Sequence, residues 1–272
     1  MNRGEDQADG LRRLLGAGAA ARIVAVAGMA PGAGASTAAL NLGAAFARGG
    51  QPVLLLDEHA PHPLSAAAVW GRAATGTLAD VARGHRALAA AAARLSCGVS
   101  LLPAPAGATP GSFNPRTLCR AGIIMVDVAL DADGQLSPLA RLADEVLIVM
   151  QPVASSITAA YAGLKRLHYT HVRQSFRFLV NGAVNEQQAQ LVTTNIVNTS
   201  SRYLAVSLAP AGWVRHDPLV PEAARARLAV VQAHPASAAA ADFQRAAAAL
   251  GQRLAPRPAP ARPTRPALAS AA

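Results

Sequence analysis

The sequence predicts an α/β fold, a doubly wound, mostly parallel sheet flanked by helices. Three observations carry this: seven short apolar runs alternate with helical segments, a glycine-rich turn follows the first run, and carboxylates end two others. Strands buried on both faces read as continuous apolar runs, and such sheets bind ligands beyond the strands' carboxyl ends.

Ile23 to Ala27 reads as the first strand, Gly28 to Gly34 as a tight turn, and Ser36 to Arg48 as a helix stopped by Gly49 and Gly50. Pro52 to Leu56 is a second strand that finishes at Asp57. Thr77 to Leu95 reads as helical, Val99 to Leu102 as a strand, and Pro103 to Pro110 as a loop. Strands follow at Ala121 to Val126, ending at Asp127, and at Val146 to Met150. Ser156 to Leu167 is helical, Phe176 to Val180 is a strand ending at Asn181, Gln187 to Val197 is helical, and Tyr203 to Leu208 is the last strand. Past Glu222, two alanine-rich helices run to about Leu254.

The expected organisation is therefore one α/β body over residues 22–235, a C-terminal helix over 236–254, and flanking pieces at 1–21 and 255–272. In the first piece, Ala8, Leu11 and Leu15 share one side of a short amphipathic helix over Asp6 to Leu15, which Gly10 weakens by about 1 kcal/mol relative to alanine. A helix this short is marginal alone and is expected to order on a partner or on its own body. The last piece joins arginines to prolines without an acid, a composition expected to be extended.

With 272 residues, 52% of them hydrophobic, the chain can bury a full core, which excludes a small disulfide-stapled domain. Cys97 and Cys119 form no metal or redox motif, and the polar, acidic start does not resemble a secretory signal, so a cytoplasmic protein is expected. The net charge of +10 permits contact with nucleic acid or acidic membrane and establishes neither. Lys165 is the one lysine among 25 basic residues, so any site that needs a lysine has a single candidate.

Gly28 to Thr37 stands where a phosphate-binding loop would. Such a loop wraps phosphates with backbone N–H groups, reaches them with a lysine and sets a Ser or Thr hydroxyl on magnesium. Gly32, Ala33 and Gly34 can supply the backbone, and Ser36 or Thr37 the hydroxyl, but Ala35 occupies the lysine place. Asp127 has the placement of a magnesium-organising carboxylate, with Asp57 on another strand able to do related work. The plainer readings are a bare tight turn and a strand-end cap. His59 and His62 flank a proline without a Cys or Glu partner, so no metal beyond magnesium is expected there. A lost phosphate-pairing lysine removes contacts worth roughly 1.5–3 kcal/mol each.

Asp6 to about Pro235 resembles the MinD/ParA group of deviant Walker ATPases and, within it, the regulators of flagellar number and placement. The residues that carry this are DQADGLRRLL from Asp6, GTLADVARG at Gly76 to Gly84, ADEVLIVMQPVASSITAAYAGLKRL at Ala143 to Leu167, and FRFLVN at Phe176 to Asn181. The resemblance implies ATP or ADP with magnesium as cofactor, held by Gly32, Gly34, Ser36 and Thr37. Asp57 matches the acid after the second strand, Asp127 the Walker B acid, and Asn181 the residue at the adenine. It further implies that Asp6, Gln7, Ala8, Leu11 and Arg12 contact and stimulate an SRP-type flagellar GTPase. A flagellar transcription regulator or switch-complex protein, a homodimer, and transient contact with the inner membrane or cell pole are also implied.

The departures are as informative. The group's signature lysine aligns with Ala30, its usual loop lysine with Ala35, the glycine between with Pro31, and the water-positioning carboxylate with His59. Together they predict a pseudo-ATPase that acts through protein contacts. The family's membrane-targeting helix would fall at Ala239 to Leu254, where Phe243 and Leu250 among alanines give a weak apolar face. The alternatives are an active ATPase that positions flagella, DNA or cellulose-secretion machinery; the N-terminal element speaks against the DNA role.

Overall fold

The computed structural model describes residues 20–71, 73–172, 175–204 and 206–254. The expected helix Asp6 to Leu15, with Asp6, Gln7, Ala8, Leu11 and Arg12, and the Arg/Pro tail lie outside the described residues. Strands β1 (Arg22–Gly28), β2 (Val53–Asp57), β3 (Ala93–Arg94), β4 (Val99–Pro103), β5 (Ile123–Asp127), β6 (Glu145–Met150), β7 (Ser175–Ala183) and β8 (Ser207–Arg215) form one sheet. Their order is β3-β4-β2-β5-β1-β6-β7-β8. Every neighbouring pair is parallel except β3 with β4.

Alternation along the central strand assigns its residues to two cores. Ile23, Ala25 and Ala27 face Leu164 and Leu167 of α5 (Ala154–His171) and Val192 and Ile196 of α6 (Glu186–Leu204), counting helices in chain order. Val24 and Val26 face Leu40 and Phe46 of α1 (Ala35–Arg48) and Phe243 and Leu250 of α9 (Ala238–Leu254). The short helices between are α2 (Ala66–Val69), α3 (Leu78–Ala82), α4 (Leu88–Ala91), α7 (Leu219–Arg225) and α8 (Val230–Ala233).

Two elements differ from expectation. Thr77 to Leu95 is not one helix: Thr77 and Asp80 make a reciprocal capping box that starts α3, and Gly84 at φ 73° takes the chain out of it. After α4 the chain adds the antiparallel edge strand β3. The last strand is displaced from Tyr203–Leu208 to Ser207–Arg215, because α6 continues to Leu204. Ala189, Val192, Ile196, Ser200 and Leu204 recur at helical spacing and are all buried.

Helix α9 occupies the span expected for a C-terminal helix, but its apolar face is not free for a membrane. Ala239, Ala240, Phe243, Ala246, Ala247, Leu250 and Leu254 are buried in the core that contains α1. Asp242, also buried, accepts hydrogen bonds from the Arg215 backbone N at 3.0 Å and Nε at 2.7 Å, and pairs with Arg245. Asp217 accepts from the Ala239 N–H at 3.2 Å. Among the described residues no helix is long and apolar enough to cross a membrane. Phe243→Ala is expected to destabilise the protein by about 3–5 kcal/mol in urea unfolding, the cost of a core aromatic. A loss below about 0.5 kcal/mol, typical of a surface position, would mean that α9 is not part of the core.

Candidate functional site

The sheet register builds the site. In the parallel ladders Val26 is opposite Asp127, and Asp57 is opposite Asp127, so β1, β2 and β5 end level with one another. The chain leaving β1 at Gly28 makes the glycine loop, with Gly32 at φ 73° and Gly34 at φ 86°, left-handed conformations that favour glycine. Gly34 is the N-cap of α1, and no side chain caps that helix end. Uncapped N–H groups at the start of a 14-residue helix favour an anion.

Asn181, at the end of β7, donates from Nδ2 to the Ala33 carbonyl at 3.0 Å. Its amide lies so near Gly34 that a Cβ there would come within 2.3 Å of it. The loop is supported on another side by Met29, whose sulfur fills the space that a Cβ on Gly163 of α5 would need. Gly32, Ala33, Gly34, Ala35, Ser36 and Thr37 line a cleft of about 550 Å³, together with His59, Leu64, Trp70, Val128 and Leu130. No lysine or arginine is among those lining residues. Arg48 ends α1 far from the loop, and Arg22 is at the opposite end of β1, paired with Asp144 at 3.4 Å.

Three buried carboxylates meet beneath the cleft and have different surroundings. Asp57 accepts from the His59 N–H at 2.9 Å and the Ala67 N–H at 2.6 Å, so it ties down the loop after β2 and the start of α2. Glu58 accepts from the Ser137 hydroxyl and from the Ala129 N–H at 3.2 Å, joining that loop to the one after β5. Neither buried oxygen of Asp127 accepts a hydrogen bond of ordinary geometry, although the Ser36 hydroxyl acts on the carboxyl from nearby. The imidazole of His59 stands near it, with Nε2 3.8 Å from Oδ1. Burial pushes the Asp127 carboxyl up, opposed by His59 and by the Ser36 hydroxyl, with the Asp57 charge adding to the rise.

The structure thus brings Gly32 to Thr37, Asp127 and Asn181 together, with Asp57 beside them in a position where backbone donors already occupy its carboxylate. Buried oxygens on Asp127 beside the Ser36 hydroxyl fit a magnesium ion carried in with a nucleotide, and Asn181 of β7 holds the loop through the Ala33 carbonyl. The carboxyl Glu58 is a site residue without a signal in the sequence, because its partner Ser137 is 79 positions away.

Burial also pushes the Glu58 carboxyl up to about 7, opposed by its bonds to Ser137 and Ala129 and assisted by Asp127 and Asp57. Between its ordinary value of 4.5 and about 7, the folded protein holds a proton that the unfolded chain has released. Stability therefore falls as pH rises through that window. Glu58→Gln, which does not titrate, is expected to flatten this slope and to gain about 1–3 kcal/mol on the parent between mildly acidic and mildly basic pH, measured by urea unfolding. An unchanged slope would place the titration elsewhere.

No family model matches the chain. It is 31% identical over 258 residues to "Antiactivator FleN" of Pseudomonas aeruginosa, covering 89% of each chain. Among solved structures, the MinD cell division protein of Aquifex aeolicus superposes with a TM-score of 0.66 at 19% identity, over 85% of this chain and 97% of that one. The septum site-determining protein MinD of Pyrococcus horikoshii, complexed with Mg-ADP, gives 0.56 at 16% identity, over 86% and 98%. The structural likeness shows the fold, and the sequence likeness over most of both chains shows the lineage: the chain belongs to the MinD/ParA family of P-loop ATPase folds, on the branch that includes FleN.

Proposed function

We propose that this chain is a regulator of flagellar number and placement that seats ATP or ADP with magnesium weakly through backbone amides, with hydrolysis lost or very slow. The observation that carries this is a phosphate loop with intact glycine geometry and an uncapped helix end, in a cleft whose lining contains no lysine or arginine. Binding needs donors and a dipole, which the loop retains. Turnover needs cationic charge where negative charge develops and a positioned water, and Ala30, Ala35 and His59 stand where the family places those groups.

Regulation then proceeds by protein contact. The likeness to a FleN antiactivator supports a flagellar transcription regulator as one partner, restrained by the α/β body. The DQADGLR element supports an SRP-type flagellar GTPase as another, stimulated through Asp6, Gln7, Ala8, Leu11 and Arg12. A switch-complex protein and a second copy of the chain complete the proposed partners. With the apolar face of α9 buried, any contact with the inner membrane is weak and made by other parts of the chain.

A second reading, an active ATPase that positions cellular cargo, is favoured by the retained Ser36, Asp127 and Asn181. Phosphate release abolished by Asp127→Ala would select it.

Calorimetric titration of Mg-ATP and Mg-ADP into the full chain and into Ala35→Lys tests the nucleotide part. The unmodified chain is expected to bind, and the lysine to tighten ATP by about tenfold to a hundredfold, the equivalent of one charge-assisted contact. An absence of heat with the unmodified chain would overturn nucleotide binding. Removal of residues 1–20 is expected to abolish stimulation of the flagellar GTPase, and undiminished stimulation would overturn that partnership.

A further inference from the structure

We infer that the end of the molecule opposite the nucleotide cleft, where the strands begin, is an attachment surface for an anionic lipid bilayer, held by arginines rather than by an inserted helix. This deepens the membrane contact of the proposed regulator, but it requires neither nucleotide nor a flagellar partner, so either can fail without the other.

The exposed charges are sorted between the two ends of the sheet. Glu186 opens α6 beyond β7, Asp217 and Glu222 follow β8, and the turn that holds Asp131 and Asp133 packs through Gly134 on the Arg166 guanidinium. At the amino ends, Arg22 opens β1, Arg48 closes α1, Arg116 and Arg120 precede β5, Arg141 precedes β6, and Arg253 is in the last turn of α9. The carboxylates there are already matched, Asp144 by Arg22 and Arg116, and Glu145 by Arg177. Arg48, Arg120, Arg141 and Arg253 are exposed and make no ion pair or hydrogen bond among the described residues.

These arginines come from separate elements yet surround one place. A cavity of about 710 Å³ is lined by Arg22, Gln51, Arg116, Ala121, Asp144 and Leu254, among others, and each of the four unpaired arginines is within three residues of a lining position. Arg116 also donates to the carbonyls of Ala21 and Leu142, which brings the segment of Arg141 to the rim. Residues 255–272 continue from Leu254 on that rim and add Arg257, Arg262 and Arg265 without an acid. Residues 1–19 lead into Ala20 on the same rim and are balanced, with Arg3, Arg12 and Arg13 against Glu5, Asp6 and Asp9.

An anionic bilayer attracts each basic residue near its surface through a potential that needs no directional donor. A nucleic acid is positioned at fixed phosphates, often by backbone N–H groups and helix N-termini. Here α1 and α9 present their C-termini, and the uncapped N-terminus of α1 is at the other end. Apolar surface accompanies the charges: Leu142 is 46% exposed, and Ala121, Ile123 and Leu254 line the cavity. Arginine stems beside such surface suit the boundary between head groups and acyl chains. Attachment by this end turns the glycine loop away from the bilayer, where nucleotide and protein partners can reach it.

The test mixes the full chain, without nucleotide, with vesicles of phosphatidylcholine or of phosphatidylcholine and phosphatidylglycerol in equal parts, and measures cosedimentation. Binding is expected only to the mixed vesicles, and to fall at least about tenfold on going from low to high salt. Arg120→Glu with Arg141→Glu is expected to weaken it at least about tenfold. Arg83→Glu with Arg225→Glu, at the ends of α3 and α7, makes the same change in net charge and is expected to leave it within about threefold. Circular dichroism of each variant separates loss of attachment from loss of the fold. Equal binding to the two vesicles, binding undiminished in the folded Arg120 and Arg141 variant, or an equal loss in the Arg83 and Arg225 variant would overturn the inference. A loss produced by Arg257→Gln, Arg262→Gln and Arg265→Gln together, and not by the Arg120 and Arg141 pair, would assign attachment to residues 255–272 and overturn the surface. Short duplex DNA bound more tightly than the mixed vesicles, and weakened by the same pair, would give the surface to nucleic acid instead.

Discussion

The in-register pairing of β1, β2 and β5 is the constraint on which the rest depends. Because Val26 and Asp57 both lie opposite Asp127, the glycine loop and the acids of two strands emerge at one level and converge on one cleft. A slip of one residue would turn Asp127 to the other face of the sheet and bring an apolar neighbour to the cleft. Close packing of both faces opposes that slip, since the small Ala25 and Ala27 on one face and the larger Val24 and Val26 on the other meet differently shaped partners. Hydrophobic packing several residues away therefore sets the geometry of the polar site.

The ends of the sheet are held by charges unrelated to phosphate. At the amino end of β1, Arg116 donates to the Ala21 carbonyl at 2.6 Å and to Asp144 at 2.7 Å, while Asp144 accepts from the Ile23 N–H at 2.7 Å. Across the other core, Asp242 joins α9 to β8 through Arg215. Both carboxylates retain complementary partners, whereas Asp127 has only a distant histidine. The first two hold strands and helix together, whereas Asp127 makes no such tie.

Much of this was legible in the sequence, for a physical reason. Central parallel strands are buried on both faces, so β1, β2, β5 and β6 appear as near-continuous apolar runs, and the turn after β1 is marked by glycines that need positive φ. Where local composition competes with tertiary context the reading fails. The alanines between Thr77 and Leu95 favour a helix that Gly84 and the edge strand interrupt, and Tyr203 looks like strand but completes a turn of α6. Within the site, Gly32 to Thr37, Asp127 and Asn181 could be matched one at a time. The relation between Glu58 and Ser137, or His59 and Asp127, is created by strand register and loop return, and spacing along the chain contains no trace of either.

The departures in the phosphate loop differ in what the fold demands of them. Pro31 is exposed and Ala30 half-buried at the cleft edge, both outside strands and helices, whereas Ala35 opens α1 and packs against the core beneath it. A lysine in place of Ala30 would add charge to the cleft and little to packing. Ala33 and Gly34, by contrast, are in contact with Asn181, and the Gly28 and Gly163 positions admit Ala35 and Met29 respectively. These residues determine the shape of the loop and are the ones that retain the form a phosphate requires. Ala30 and Pro31 can change with little effect on the fold, but a change in the second set must rebuild the junction of β1, α1, α5 and β7. The cleft therefore persists as a consequence of packing, and its remaining chemistry is decided by the few polar groups that packing brings to its floor: Ser36, His59 and Asp127.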